Sequence, residues 1–213
     1  MIFSGYNLKS LVMKHLITYS GFLAGACICF SCNSGQPNAV KEAKDSNARA
    51  MDSPAVSGNT SATVVPVSVS KDDAKFVVDA AAGGMEEVAL GQLAQQKALS
   101  PDVKSFGAMM ERDHSKGGDR LKAIAKEKNV TLPATLSPDM QKMADNLQKK
   151  SGKDFDKAYI SMMIDDHKND IREFEKEAKN GADADIRAFA DSTLHMLHIH
   201  LDSAKVCNKR LKT

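Results

Sequence analysis

The sequence predicts an all-α protein built around a four-helix bundle. Three observations carry this. Apolar residues recur every three or four positions through four long segments between Lys71 and Thr213. Helix start and stop signals bracket each segment. Short breaks join the first segment to the second and the third to the fourth, whereas about 25 residues with Pro133 and Pro138 separate the second from the third.

Composition agrees. The chain has 213 residues, no Trp and only 5% aromatics, a helical composition. Between Lys71 and Thr213 there are 24 Lys and Arg against 24 Asp and Glu. A neutral, mixed-charge surface gives no basic footprint for nucleic acid, so none is expected as a partner. Three of the four cysteines, Cys27, Cys29 and Cys32, fall near the N-terminus. That leaves no disulfide framework and no zinc knuckle in the domain. Cys207 sits on an apolar stripe and reads as a small buried hydrophobe.

Taken in order, residues 1–32 read as a signal segment, with Met13 as an alternative start. Lys14 and His15 precede an apolar run from Leu16 to Ser31. The run is short and ends sharply in polar residues, which disfavours a spanning helix. A signal ending in Cys resembles a bacterial lipoprotein signal, whose Cys is lipidated. Cys32, where the run stops, is the expected lipidation site, and Cys27 is the alternative. The expected location is therefore the bacterial cell envelope, as an exported lipoprotein of the outer membrane or periplasm. The membrane is met through the lipid. Residues 33–70 are rich in Ser, Ala, Asn and Val, carry three prolines, and are expected to form a disordered tether.

The bundle domain is expected over residues 71–213. Ser70 followed by Asp73 is a capping-box-like start to a first helix ending near Ala98. Ser100-Pro101-Asp102 opens a second, to about Lys128. Ser137-Pro138-Asp139 opens a short helix to about Lys150. The third long helix spans about Asp154 to Asn180 and stops at Gly181. Asp183 caps the fourth, which runs almost to the C-terminus. Breaks of a few residues force antiparallel hairpins. A long crossover containing a short helix then leaves the second and third helices parallel, which is ferritin-like connectivity.

The chemistry sits at mid-helix. Met109-Met110-Glu111-Arg112-Asp113-His114 and Met162-Met163-Ile164-Asp165-Asp166-His167 share the pattern Met-Met-x-x-Asp-His. Met196-x-x-x-His200 echoes it on the fourth helix. Four-residue spacing puts Met and His on one face, a turn apart. Each His falls in the middle of an apolar stripe. On the first helix the corresponding stripe position is Glu87. Folding the first hairpin about its turn puts Glu87 near His114 and sets Gly83-Gly84 beside Gly117-Gly118. Such facing glycines allow either close backbone approach or a small pocket. Folding the second hairpin puts His167 opposite His195, with His200 about 7 Å away along the axis.

Several segments together resemble the domain of unknown function 4142 family. They are Phe76-Val77, Ala80-Ala81-Ala82, Glu87-Val88-Ala89-Leu90-Gly91, Met110-x-x-Asp113-His114, Gly152-x-x-Phe155-Asp156-x-x-Tyr159, Asp166-His167 and His200-Leu201. The resemblance covers about Lys71 to Lys212. It implies a fold of the ferritin-like superfamily in bacterial exported proteins, and it implies no established activity. Family members usually carry Leu-Pro where this chain has Leu194-His195.

Two functional readings follow. In the first, a mid-bundle layer of Glu87, Met110, Glu111, His114, Met163, Asp166, His167, Met196 and His200 binds a transition metal, copper or zinc. A complete dinuclear carboxylate centre is not expected. Glu111-x-x-His114 and Glu87 supply half of one, and the fourth helix has no Glu-x-x-His. In the second, the protein is a non-catalytic envelope interaction module whose Met and His are core packing. No phosphate loop, nucleophile elbow or His-Glu-x-x-His is present, so the sequence leans away from an enzyme. His195 and His198 flank the stripe as candidate pH-responsive surface groups.

Overall fold

A computed structural model describes residues 38–52 and 67–213. The signal segment, Cys27, Cys32 and much of the tether lie outside the described residues. Among the described residues six helices follow in order: α1 (Ala39–Asp52), α2 (Lys71–Lys97), α3 (Pro101–Glu127), α4 (Pro138–Gln148), α5 (Gly152–Asn180) and α6 (Ala184–Arg210). No strand occurs among the described residues, and no described helix is long and apolar enough to cross a membrane.

The four long helices form the two expected hairpins, α2–α3 and α5–α6, with α4 on the crossover between them. Ring contacts give the pairing across hairpins. Phe76 meets Phe174, with centroids 4.9 Å apart, and Phe106 meets Tyr159 at 6.0 Å. Asp102 pairs with Arg210, and Lys128 with Asp183 and Asp185. α2 therefore runs antiparallel to α5, α3 antiparallel to α6, and α3 parallel to α5.

Two buried aspartates tie the hairpins together. Asp73, in the first turn of α2, accepts hydrogen bonds from Ala182 N and Asp183 N, both at 2.9 Å, in the α5–α6 turn. Asp156, in the second turn of α5, accepts from Leu99 N at 3.0 Å and Ser100 N at 2.8 Å in the α2–α3 turn. Each side chain is 1% exposed. The capping box expected at Ser70 is thus only half made. Ser70 Oγ accepts from Asp73 N at 3.0 Å, but the Asp73 carboxylate reaches across to the other hairpin.

The tether expectation fails over Ala39–Asp52. Asn38 caps α1 through its side chain, which accepts from Lys41 N at 3.1 Å. The buried face is small and includes a polar residue: Val40, Ala43, Asn47 and Met51 follow helical spacing. Asn47 bonds the backbone of Thr131 twice, at 2.9 and 2.7 Å. Lys44 pairs with Asp79 on α2 at 2.5 Å. A stripe of three apolar residues and an amide is weak as a sequence signal, and tertiary hydrogen bonds supply what apolar burial does not.

Of the two roles open to the facing glycines, the structure gives them the pocket, and close approach falls to another pair. A Cβ on Gly91 or Gly107 would lie 2.7 Å from the other's carbonyl oxygen, so α2 and α3 touch backbone to backbone there. Gly83, Gly84, Gly117 and Gly118 have no such neighbour within 4 Å. They border a cavity instead. Gly107→Ala is expected to cost about 1–3 kcal/mol by forcing the helices apart. Gly117→Ala is expected to stabilise by about 0.5–1 kcal/mol through helix propensity alone. Urea denaturation of both variants checks the contrast.

Glu177 stands beside the Asp73 cap. Burial, and then Asp73 itself, push its carboxyl up to about 7 from 4.5. The folded state holds this proton more tightly than the unfolded chain, so the associated stability is complete below about pH 4.5 and is lost as pH rises through about 7. Glu177→Gln is expected to melt higher than the parent at pH 8 and no higher at pH 4, read by thermal melts across that range.

Candidate metal centre

Aromatic layers close the two ends of the core. Phe76, Phe174 and Phe189 lie at one end, and Phe106, Phe155 and Tyr159 at the other. Between them sit His114 from α3, His167 from α5 and His200 from α6. Their ring centroids are 5.1–5.6 Å apart, and the residues are 7%, 0% and 1% exposed. One nitrogen from each ring lies within 4.8 Å of one from each of the others.

The meeting of His167 with His200, rather than His195, corrects the height reading. With α5 ending at Asn180 and α6 starting at Ala184, His200 stands about 4.5 Å farther from the turn than His167 by helical rise. Helix side chains lean toward their own N-terminus. His167 therefore leans away from the turn and His200 toward it, and the two converge. His195 and His198 are exposed on α6.

Each imidazole is oriented by one outer partner. His114 Nδ1 lies 2.8 Å from Glu87 Oε2 as an ion-pair contact. His167 Nδ1 donates to the Met163 carbonyl oxygen at 2.9 Å. His200 Nε2 donates to Asp113 Oδ2 at 3.2 Å. Asp113 is in turn gripped by Arg112 through two bonds of 2.8 and 2.7 Å, which holds its carboxyl down at about 2. The two ring bonds assign the tautomers of His167 and His200, since a neutral imidazole has one N–H and one lone pair, and the carboxylate beside His114 Nδ1 favours the N–H there. The inward nitrogens are then all acceptors. His114 Nε2 is buried with no partner. His167 Nε2 and His200 Nδ1 face each other at 3.3 Å, lone pair to lone pair.

Burial keeps the rings neutral. It lowers His114, His167 and His200 from 6.5 to about 4 each, against the pull of Asp113 on His114 and His200 and of Glu87 on His167. Protonating any of them works against folding. This share of stability is complete above about pH 6.5 and is lost as pH falls toward about 4. Glu87, 4% exposed, also has its carboxyl pushed up by burial. Its Oε1 lies 3.4 Å from His167 Nδ1 but makes no hydrogen bond.

The other expected site residues divide. Met110 and Met163 are fully buried one turn before their histidines, and Met163 acts through its backbone. Met196 is only partly buried and borders a cavity. Glu111 is outside the cluster: Gln92 and Gln95 donate to it at 2.8 and 2.6 Å on the α2–α3 surface. A neighbour three residues before a helical His shares its face only roughly, and two glutamines on α2 draw it away. Asp166 also lies outside the imidazole cluster, in an acidic cavity. Glu86 and Asp170, which stripe analysis did not select, line that cavity too. Their polarity hid them, since only packing against α1 and α4 encloses them.

Two cavities flank Glu87. One, about 540 Å³, lies beneath α1 and carries Glu86, Glu87, Asp166 and Asp170. The other, about 420 Å³, lies by the glycines of α2 and α3 and carries His114, Phe174, Phe189 and Leu197. Burial raises Glu86 to about 7 and Asp166 to about 6, each with help from neighbouring carboxylates. Asp170 rises to about 8 for the same reasons.

¹⁵N NMR of the metal-free protein at pH 7 is expected to show neutral Nδ1–H rings at His114 and His167 and a neutral Nε2–H ring at His200. All three should stay neutral to about pH 5, as follows from values near 4.

The comparisons with known proteins agree on an all-helical fold. The chain is similar to the crystal structure of a DUF305 fragment from Deinococcus radiodurans, with a TM-score of 0.59 and 11% identity. That match covers 67% of this chain and 98% of the other. At that identity the likeness speaks for the fold alone. No curated protein matches. The family profile described as Domain of unknown function (DUF4142) matches residues 59–206, and the chain belongs to that family.

Proposed function

We propose that this protein binds one divalent transition ion, zinc or copper, through His114, His167 and His200. The observation that carries the reading is the set of inward nitrogens. Three neutral imidazoles each set one nitrogen against an outer carboxylate or carbonyl and turn the other to a common centre. Two of those inward nitrogens are 3.3 Å apart, the edge length of a tetrahedron with metal–nitrogen bonds of about 2.0–2.1 Å. Without an ion, facing acceptors repel and His114 Nε2 is a buried polar atom with nothing to bond. A structural core layer would favour the opposite tautomers, with each ring donating to the next. The outer partners match what metal-bound imidazoles use to fix tautomer and orientation.

Imidazole suits zinc and copper, and the buried thioethers of Met110 and Met163 nearby keep copper in play. Three protein ligands leave a fourth position for water or a substrate. We read the bundle as ferritin-like in connectivity, with parallel α3 and α5 presenting their Met-x-x-x-His turns at one level. In place of a dinuclear carboxylate centre it offers a mononuclear imidazole one, because α6 supplies Leu197 where a Glu-x-x-His would need an acid. We further infer an exported, lipid-anchored protein of the bacterial envelope, on the strength of the apolar run from Leu16 and the cysteine at position 32.

The test is metal titration of the full-length chain, purified without a His tag. Zn²⁺ or Cu²⁺ is expected to bind at one per chain and to raise the melting temperature. His167→Ala should abolish both the stoichiometric binding and the rise. A parent protein that melts at the same temperature with and without each ion would overturn the reading and leave the histidines as core packing.

A further inference from the structure

We propose that the acidic cavity beneath α1 is a collecting site for a hydrated divalent cation, from which the ion passes to the three imidazoles. This rests on the metal-binding reading above and adds the route by which that site is filled.

The cavity has two properties that a cluster of surface acids lacks. First, it contains buried carboxylate oxygens with no partner. Glu86 is 8% exposed and Glu87 4%, both line the cavity, and Oε1 of each has no hydrogen-bond partner. A buried, unpaired acceptor is costly, and a cation relieves it. Second, one of its walls belongs to the metal centre. Glu87 lines the cavity, holds His114 through Oε2, and places Oε1 3.4 Å from His167 Nδ1. No other described carboxylate both pairs with one of the three rings and lines the cavity. An ion resting on the Glu87 carboxylate is one side chain from the imidazoles.

The chemistry of the wall selects the ion's state. Asp166 and Asp170 join Glu86 and Glu87, so one wall of the cavity is lined by carboxyl oxygens. That suits a divalent cation still carrying water, and clustered acids raise the local concentration of a counter-ion. The second cavity also reaches His114 and Glu87. It is lined chiefly by glycine and apolar side chains, so a hydrated dication gains little there. α1 sets the opposing charge. Lys41 and Lys44 line the acidic cavity from the other side. Lys44 is already paired with Asp79, and Lys41 with Asp45, each at 2.5 Å. The helix therefore covers the acids while supplying cations that compete with the arriving ion.

The experiment is stopped-flow uptake of Co²⁺ by the full-length chain, followed by the visible absorption of the imidazole-bound ion at low and high salt. Glu86→Gln with Asp170→Asn is expected to slow uptake on the order of tenfold at low salt and to flatten its salt dependence. The site should still fill at saturating Co²⁺. Lys41→Gln with Lys44→Gln, changed on the cavity side of α1, should speed uptake. Uptake by the carboxamide variant at the parental rate and salt dependence would overturn the proposal. So would a carboxamide variant that never fills, since the acids would then be ligands rather than a route. Absence of any cobalt spectrum in the parent would overturn the metal-binding reading itself, and this inference with it.

Discussion

The fold depends on two crossed caps. Asp73 sits near the start of one hairpin and closes the turn of the other, and Asp156 does the reverse. Each uses a charged acceptor on two backbone N–H groups that the helix ladders leave unpaired. Because both caps are buried, slipping one hairpin along the other would strand two carboxylates and four amides. The caps therefore set the axial register between hairpins. That register is what brings His114 of the first hairpin level with His167 and His200 of the second.

Given that register, the middle of the core is polar in an unusual way. Aromatic layers at both ends exclude water, while the centre holds three imidazoles and a carboxylate. Hydrophobic residues of similar volume would fill the same space at no electrostatic cost. The polar layer is kept consistent by its surroundings: Arg112 holds Asp113, Asp113 holds His200, Glu87 holds His114, and a backbone carbonyl holds His167. What the surroundings leave unsatisfied is inward, at His114 Nε2, beside the 3.3 Å contact of His167 Nε2 with His200 Nδ1. The local conflict lies at the one place where a ligand would resolve it, as functional sites often show.

Much of this is legible in the chain. The four long helices begin and end within a residue or two of their caps, because Ser70, Pro101, Gly181 and Asp183 act through local backbone chemistry. The histidines stand out because each occupies a stripe position otherwise held by apolar residues. Glu87 stands out on the same ground. Less legible is α1, whose buried face includes an asparagine that makes sense only once Thr131 is beside it. Glu111 misleads because sequence spacing does not reveal that Gln92 and Gln95 stand opposite it on α2. Glu86 and Asp170 escape notice because nothing local distinguishes a charged residue that faces solvent from one enclosed by a distant helix.

The helices, their pairing into hairpins and the identity of the residues at mid-stripe are written in the chain. These follow from periodicity, caps and short turns, all of which act within a few residues. Which imidazole meets which, which nitrogen of each ring points inward, and which acids share a cavity emerge only from packing. The difference is one of reach. A helix side chain leans several ångströms along the axis, and its partner is chosen by groups far away in the chain, so convergence at a point cannot be read from spacing along a line.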